Sequence, residues 1–194
     1  PGTLCDFITP RDPVTGSIAE INDSYFNINE KNQDGVDLTV RYSFEVANVD
    51  FTADLRSSTV LNFTQDLFGG NVDDFNGLIG YAESNAQFDL RADLQDWTLY
   101  YGLRWIEGQS DYDYYGYDPA TSIYVLSTDD VYYHDLSARY NGDGWSAMVG
   151  INNVADELPP MVSDWDTAWA GNAAYNTGYD MLGRSYFVNI SKGF

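Results

Sequence analysis

Cationic side chains are scarce in this chain: 9 Lys and Arg stand against 30 Asp and Glu in 194 residues. Phosphate recognition needs clustered Lys and Arg, so nucleic acid is excluded as a partner. With one His and one Cys, no Ser/His/Asp or Cys/His set and no Cys/His metal cluster is recognisable, and no phosphate-binding loop occurs. Neither catalysis nor a cofactor is expected. No apolar run approaches the roughly 20 residues of a spanning helix, which excludes a helical membrane protein. Strands that cross a membrane alternate and average to a polar score, so a barrel is not excluded. No amphipathic helix of useful length can be found. Cys5 is alone, either as a buried thiol or as half of a disulfide. The chain opens at Pro1 without a signal peptide, and with the odd Cys this predicts that an N-terminal part is absent.

Aromatic residues are plentiful, with 16 Tyr, 10 Phe and 5 Trp. They fall in segments that alternate with period two, the mark of a strand with one buried or lipid-covered face. In "VDLTVRYSF", Val36, Leu38, Val40, Tyr42 and Phe44 face one way. "FTADLRSSTVL" places Phe51, Ala53, Leu55 and Leu61 opposite Thr52, Asp54, Arg56 and Asn62. Similar segments begin at Phe88, Trp97, Tyr132 and Trp145, and the last is "YDMLGRSYFVNISKGF", from Tyr179 to Phe194. Leu99, Tyr101, Leu103, Val149, Ile151, Val188 and Ile190 are expected to point outward together. On the opposite face project Asp37, Arg41, Asp54, Arg56, Asp89, Arg91, Asp93, Arg104, Asp135 and Arg139. So many charges would be ruinous in a dry core but ordinary in a water-filled or plugged lumen, where opposite signs pair.

The connections also alternate. Tight polar turns follow Phe44, Leu94 and Tyr140, whereas long loops occupy roughly 64–85, 107–130 and 155–180. Membrane barrels separate short periplasmic turns from long extracellular loops in this way. Phe51, Trp97 and Trp145 open strands after short turns, and Phe44, Tyr140 and Phe194 close strands on that side, as an interfacial girdle would. Trp97 and Trp105 lie about 26 Å apart along one strand face, or about 20 Å of membrane height at the tilt of a barrel strand.

The run "GINNVADELPP", Gly150 to Pro160, followed by a loop and then "YDMLGRSYFVNISKGF", resembles the closing signature of TonB-dependent outer-membrane receptors. "CDFITPRDPVTGSIAEI" resembles an extracellular Cys-containing loop of that family, and "NEKNQDGVDLTVRYSF" resembles its descending strand. Lys192 departs from the pattern, where an aromatic or aliphatic residue is commoner, and can snorkel at a membrane rim. Independently of any family, Asn152 and Asn153 can hold a strand end by side-chain to backbone bonds. Pro159 and Pro160 cannot donate to a ladder and stop pairing.

The resulting expectation is an all-β, antiparallel transmembrane barrel segment crossing at about 33–46, 49–63, 85–95, 97–107, 130–141, 144–154 and 181–194. Residues 1–32 form an extracellular loop and strand extension, and 33–194 the crossings. The resemblance implies a larger barrel of about 22 strands whose plug lies outside this chain. It further implies import of a bulky scarce nutrient, such as a ferric siderophore, cobalamin or oligosaccharide, across the outer membrane of a Gram-negative bacterium. Partners would be outer-membrane lipid, the transported ligand, the receptor's own plug and the TonB complex reached through the absent N-terminal region. Ligand contacts are sought in the long loops, at Tyr112, Tyr114, Tyr115 and Tyr117 of "DYDYYGYD" and at Trp165 and Trp169, whose flat rings can stack. For each, packing among the loops is the competing role. Asp111, Asp113, Asp118, Asp129 and Asp130 could offer oxygens to Ca²⁺, but without EF-hand spacing they read better as a solvated acidic loop. Two other readings stay open: a complete eight-strand barrel with a structural or adhesive role, if 17–30 crosses, and a secreted acidic β-sandwich that binds carbohydrate.

Overall fold

The computed structural model describes residues 8–21, 30–66, 72–163, 172–174 and 178–193. Cys5, Trp165, Trp169 and Phe194 lie outside the described residues. The chain is all-β, with strands β1 (Glu30–Val46), β2 (Val49–Asp66), β3 (Val72–Asp74), β4 (Ser84–Leu94), β5 (Trp97–Ile106), β6 (Val131–Gly142), β7 (Trp145–Asn152) and β8 (Ser185–Lys192). One short helix, α1 (Tyr112–Tyr115), sits in the loop between β5 and β6. The sheet is antiparallel in the order β1-β2-β4-β5-β6-β7-β8, with β3 paired to the far end of β2. Neighbours in sequence are therefore neighbours in space, and each crossing reverses direction. Among the described residues no helix is long and apolar enough to cross a membrane.

Both kinds of connection expected from the sequence are present. At one end two-residue turns join β1 to β2, β4 to β5 and β6 to β7. Ala47 and Asn48 both have left-handed backbone, with φ 52 and φ 62, as a type I′ turn between right-twisting strands requires. Turns at this end are also bonded by neighbouring strands: the Asn141 amide of β6 donates to the Asp96 carbonyl at 2.8 Å, and the Gly193 amide just after β8 to the Gly144 carbonyl at 2.9 Å. Long connections leave the opposite end.

The register puts the alternating residues on common faces. Leu90 pairs with Tyr101, Tyr101 with Leu136, Leu136 with Ile151 and Ile151 with Tyr186. Leu99, Ala138, Val149 and Val188 form the next row. One face of the sheet is thus apolar from β1 to β8, and no described residue covers it; Val36, Leu38, Leu99, Val149, Val188 and Ile190 are all exposed. At the short-turn end Phe44 stacks on Phe51 with centroids 5.1 Å apart, and Tyr140 lies 5.0 Å from Trp97 and 5.5 Å from Trp145. Trp105 faces Tyr132 at the other end of that face.

The opposite face carries the charges, and six of the ten expected there form ion pairs. Arg41 meets Asp54 at 2.6 Å, Arg56 bridges Asp54 and Asp89, and Arg91 binds Asp93 at 2.7 Å. The arginines stay mostly exposed, so each pair adds little stability and mainly satisfies the register. The buried core is small and sits at the long-loop end of this polar face. There Ile106, Val131 and Tyr133 of the sheet pack against Ile79, Val162, Ala174 and Tyr179 of the loops.

Two local features depart from simple alternation. The register slips between Asp34 and Gly35, so that Gly35 faces Val60 while Asp34 faces Asn62. Leu61 is the extra residue of this β-bulge, and beyond it the parity of β2 inverts. A Cβ on Gly35 would stand 2.8 Å from the Thr59 carbonyl oxygen, which is why glycine occupies that position. The final strand begins at Ser185 and not at 181, because Gly183 takes φ 72. Before it, residues 8–21 form an arm closed by the bridge Ile8–Ile21, with the Asp12 carboxylate held below its ordinary range by the amides of Thr15 and Val14.

Asn153 ends β7 as its sequence suggests. It is 1% exposed, its Nδ2 donates to the Glu157 carbonyl at 2.8 Å, and its Oδ1 accepts the Glu157 amide at 2.8 Å. Its φ of 52 is tolerated by Asn better than by most residues. Asn153→Ala removes both bonds and a third, from Nδ2 to Asp180 at 3.2 Å, leaves the Glu157 backbone groups without these partners, and should cost about 2–4 kcal/mol, read as a lowered denaturation midpoint.

Candidate ligand-binding surface

The long connections fold together over one end of the polar face into a canopy. Its joints are buried hydrogen bonds. Asp111, 3% exposed, accepts the Ile79 amide at 2.8 Å. Gln109, equally buried, accepts the Gly80 amide through Oε1 at 2.8 Å and donates through Nε2 to the Tyr179 hydroxyl at 2.8 Å. Tyr179 in turn donates to Thr128 Oγ1 at 3.3 Å. These side chains tie the segments 75–81, 107–130 and 178–180 into one unit. Asp180 is fixed from below by the Tyr133 hydroxyl, which accepts its amide at 3.0 Å.

The tyrosines of "DYDYYGYD" stand at the rim of this canopy. Tyr112, Tyr114 and Tyr115 lie on α1, which ends where Gly116 turns left-handed at φ 71. Tyr112 is half-buried and donates to the Tyr124 carbonyl at 2.8 Å, which gives it a packing role. Tyr114, Tyr115 and Tyr117 are 45%, 41% and 43% exposed. Tyr114 meets Tyr115 edge to face at 5.2 Å, and Tyr117 meets Tyr124 at 5.4 Å. The structure thus brings Tyr114 and Tyr115 to an open surface together and ties Tyr112 into the loop packing instead.

The acidic loop residues are largely occupied by protein donors. Besides Asp111, Asp118 accepts the Ala120 amide at 2.9 Å. Asp130 accepts the Gly108 amide at 2.9 Å and the Trp105 indole at 3.1 Å. Among the described residues no group of three or more His, Cys, Asp and Glu is arranged to hold a metal ion.

Sequence reasoning missed the surface below the rim. Because the bulge inverts β2, Phe63 pairs with Gln33 and turns to the polar face. There it lies 5.6 Å from Phe75 and 5.4 Å from Tyr81, and Phe75 reaches Tyr114 at 6.5 Å. Phe63 and Tyr81, with Gln33, Val60, Asn76, Asn85 and Arg104, line a hollow of about 400 Å³. Arg104 also lines a second, polar hollow with Gln87, Tyr100, Asp135 and Asn152. Its guanidinium lies 4.6 Å over the Tyr133 ring and donates to the Gly178 carbonyl at 3.4 Å. The only sequence signal for Phe63 was Gly35, an isolated glycine inside a strand pattern. Phe75 and Tyr81 belong to a loop whose packing no periodicity reports.

No protein-family model, curated protein or solved structure matches the chain. What the surface can do follows from its chemistry: exposed flat rings, amide donors and acceptors, and carboxylates, with few cations near them.

Gln109 is the hub of the canopy. Gln109→Leu keeps its approximate volume but strips the Gly80 amide of its acceptor and the Tyr179 hydroxyl of its donor, leaving the latter only its bond to Thr128. The loss should be about 1–3 kcal/mol, confined to the canopy. Hydrogen exchange should quicken across 75–83 and 178–180 while the centres of β4 and β5 keep their protection.

Proposed function

We propose that this chain is part of an outer-membrane β-barrel receptor, similar to the TonB-dependent receptors, that imports a bulky nutrient. One observation carries the reading. The apolar face runs across the sheet, broken at its middle where His134 faces Leu103 and hydrogen-bonds the Tyr101 hydroxyl at 2.9 Å, with aromatic rows at its ends, while the chain builds its own core on the other, charged face. Lipid is the cover that such a face fits, since membrane barrels alternate apolar outward and polar inward between aromatic girdles. The segregation of short turns from long loops supports the same orientation, with the canopy on the extracellular side. In this reading the sheet is one arc of a barrel of about 22 strands, and β1 and β8 continue into strands outside the described sheet. Ligand meets the canopy first, and TonB-supplied energy acts through a plug outside this chain.

A β-sandwich also has one apolar and one charged face per sheet. It would cover the apolar face with a second sheet, whereas here the loops gather on the charged face.

Depth dependence separates these readings. Leu90 lies midway between the Trp97 and Trp105 rows, opposite Tyr101, and Leu94 lies at the rim opposite Trp97. In bilayer-embedded protein Leu90→Arg should cost about 2–4 kcal/mol and Leu94→Arg about 0–1 kcal/mol. Equal costs at both positions, or protein recovered without detergent, would overturn the membrane assignment.

A further inference from the structure

Five rings connect the canopy rim to the polar face: Tyr115, Tyr114, Phe75, Tyr81 and Phe63. Successive centroids are 5.2 Å (Tyr115 to Tyr114), 6.5 Å (Tyr114 to Phe75), 5.6 Å (Phe75 to Tyr81) and 5.4 Å (Tyr81 to Phe63). Each step is within the range at which aromatic rings touch, so the path has no gap. Tyr114 and Tyr81 are nearly half exposed, at 45% and 47%, although a core cluster would bury them. The path ends in the hollow whose walls carry the amides of Gln33 and Asn85, the Asn76 amide being spent on Val60 and Glu83. Amides both donate and accept, and so can match hydroxyl groups of either orientation.

The charge around the path narrows the ligand further. No Lys or Arg occurs in residues 57–90 or 105–138, which supply two of the three canopy segments and all five rings. Asp73, Asp74, Glu83 and Asp113 occur in these stretches instead. The nearest cations are already engaged, Lys31 over the Phe63 ring at 4.7 Å and Arg104 over Tyr133. An anionic chelate would meet repulsion from these carboxylates on the approach from the rim. A small cation would be served by one enclosing box, and a series of platforms adds nothing for it. A chain of sugar rings needs what is present: repeated flat apolar faces for its C–H faces, with amides and carboxylates for its hydroxyls.

We infer that these five rings form a stacking track that takes a neutral oligosaccharide, several sugar units at once, from the canopy rim to the polar face. The direction of travel rests on the receptor reading above; the binding itself does not. Phe75 is the middle platform and the link between rim and hollow. The bulge at Asp34 and Gly35 is a positioning device, because it alone turns Phe63 inward.

The test uses the full-length protein and calorimetry with neutral glucose, xylose and mannose oligomers, from monomers to hexamers. A ferric tricatecholate serves as the anionic control and tetralysine as the cationic one. Affinity for one sugar series should rise with chain length and hold as salt is added. Phe75→Leu, which keeps apolar bulk but loses the flat face, should weaken the longest oligomers about threefold to tenfold and leave the monomer unchanged. Phe75→Trp should restore length dependence, and Tyr114→Leu, at an exposed position, should repeat the Phe75→Leu pattern without disturbing the core. The track is overturned by binding that ignores chain length, by preference for either charged control, by failure of every sugar to bind, or by Phe75→Leu without effect. Protein that inserts in the outer membrane yet prefers the tricatecholate would overturn the track and leave the receptor reading standing. Length-dependent sugar binding by protein recovered without detergent would uphold the track and overturn the receptor reading.

Discussion

Burial of the apolar sheet face is the constraint on which this molecule depends. Seven long strands present Val, Leu, Ile and aromatic side chains on one side, and no described residue covers them. Exposed apolar area on that scale is costly in water at about 25 cal/mol per Å², and patches so large mark contact with a partner or with lipid. The chain does possess loops long enough to act as cover. They pack instead on Ile106, Val131 and Tyr133 of the polar side, which leaves the apolar face for another medium.

That choice shapes the charged face as well. Arg41, Arg56 and Arg91 are each within reach of an Asp on their own or the next strand. Such exposed pairs stabilise weakly, but their directions agree with the ladder, and a slip of one residue would send every charge to the apolar side. Charge pairing and apolar burial thus specify the same register from opposite faces. The two edges, β1 and β8, carry no further described strand, and unpaired edges of this length invite another strand.

The strands and turns were legible because they depend on local order. The alternation from Val36 to Phe44 and from Trp97 to Trp105 locates β1 and β5 to within a few residues, and the two-residue turns follow from where the alternation breaks. Asn153 was legible in part for the same reason, through its two bonds to Glu157, whereas its bonds to Asp135 and Asp180 were not. The canopy was not. Gln109 meets Tyr179 and Asp111 meets Ile79 across separations that leave no periodic trace in the sequence. Of the loop tyrosines, the sequence singled out a cluster but could not separate Tyr112, tied to Tyr124, from the open Tyr114 and Tyr115. Phe63 lay beyond the alternation read from Phe51 to Asn62, and continuing that pattern would not place it, since one inserted residue reverses it.

The bulge opposite Gly35 acts as a change of phase. Below it, odd-numbered residues of β2 belong to the apolar side; above it, they belong to the polar side, as the pairing of Phe63 with Gln33 records. A single strand can therefore serve two environments in succession along its length. Apolar residues low in β2 face whatever covers the sheet, and those high in it face inward, without any interruption of the ladder on either side. The same device makes β2 sensitive to length in a way its neighbours are not: loss of one residue between Ser57 and Phe63 would bring the strand back into phase, turn its upper aromatic outward and empty one wall of the hollow, while every hydrogen bond below stayed in place.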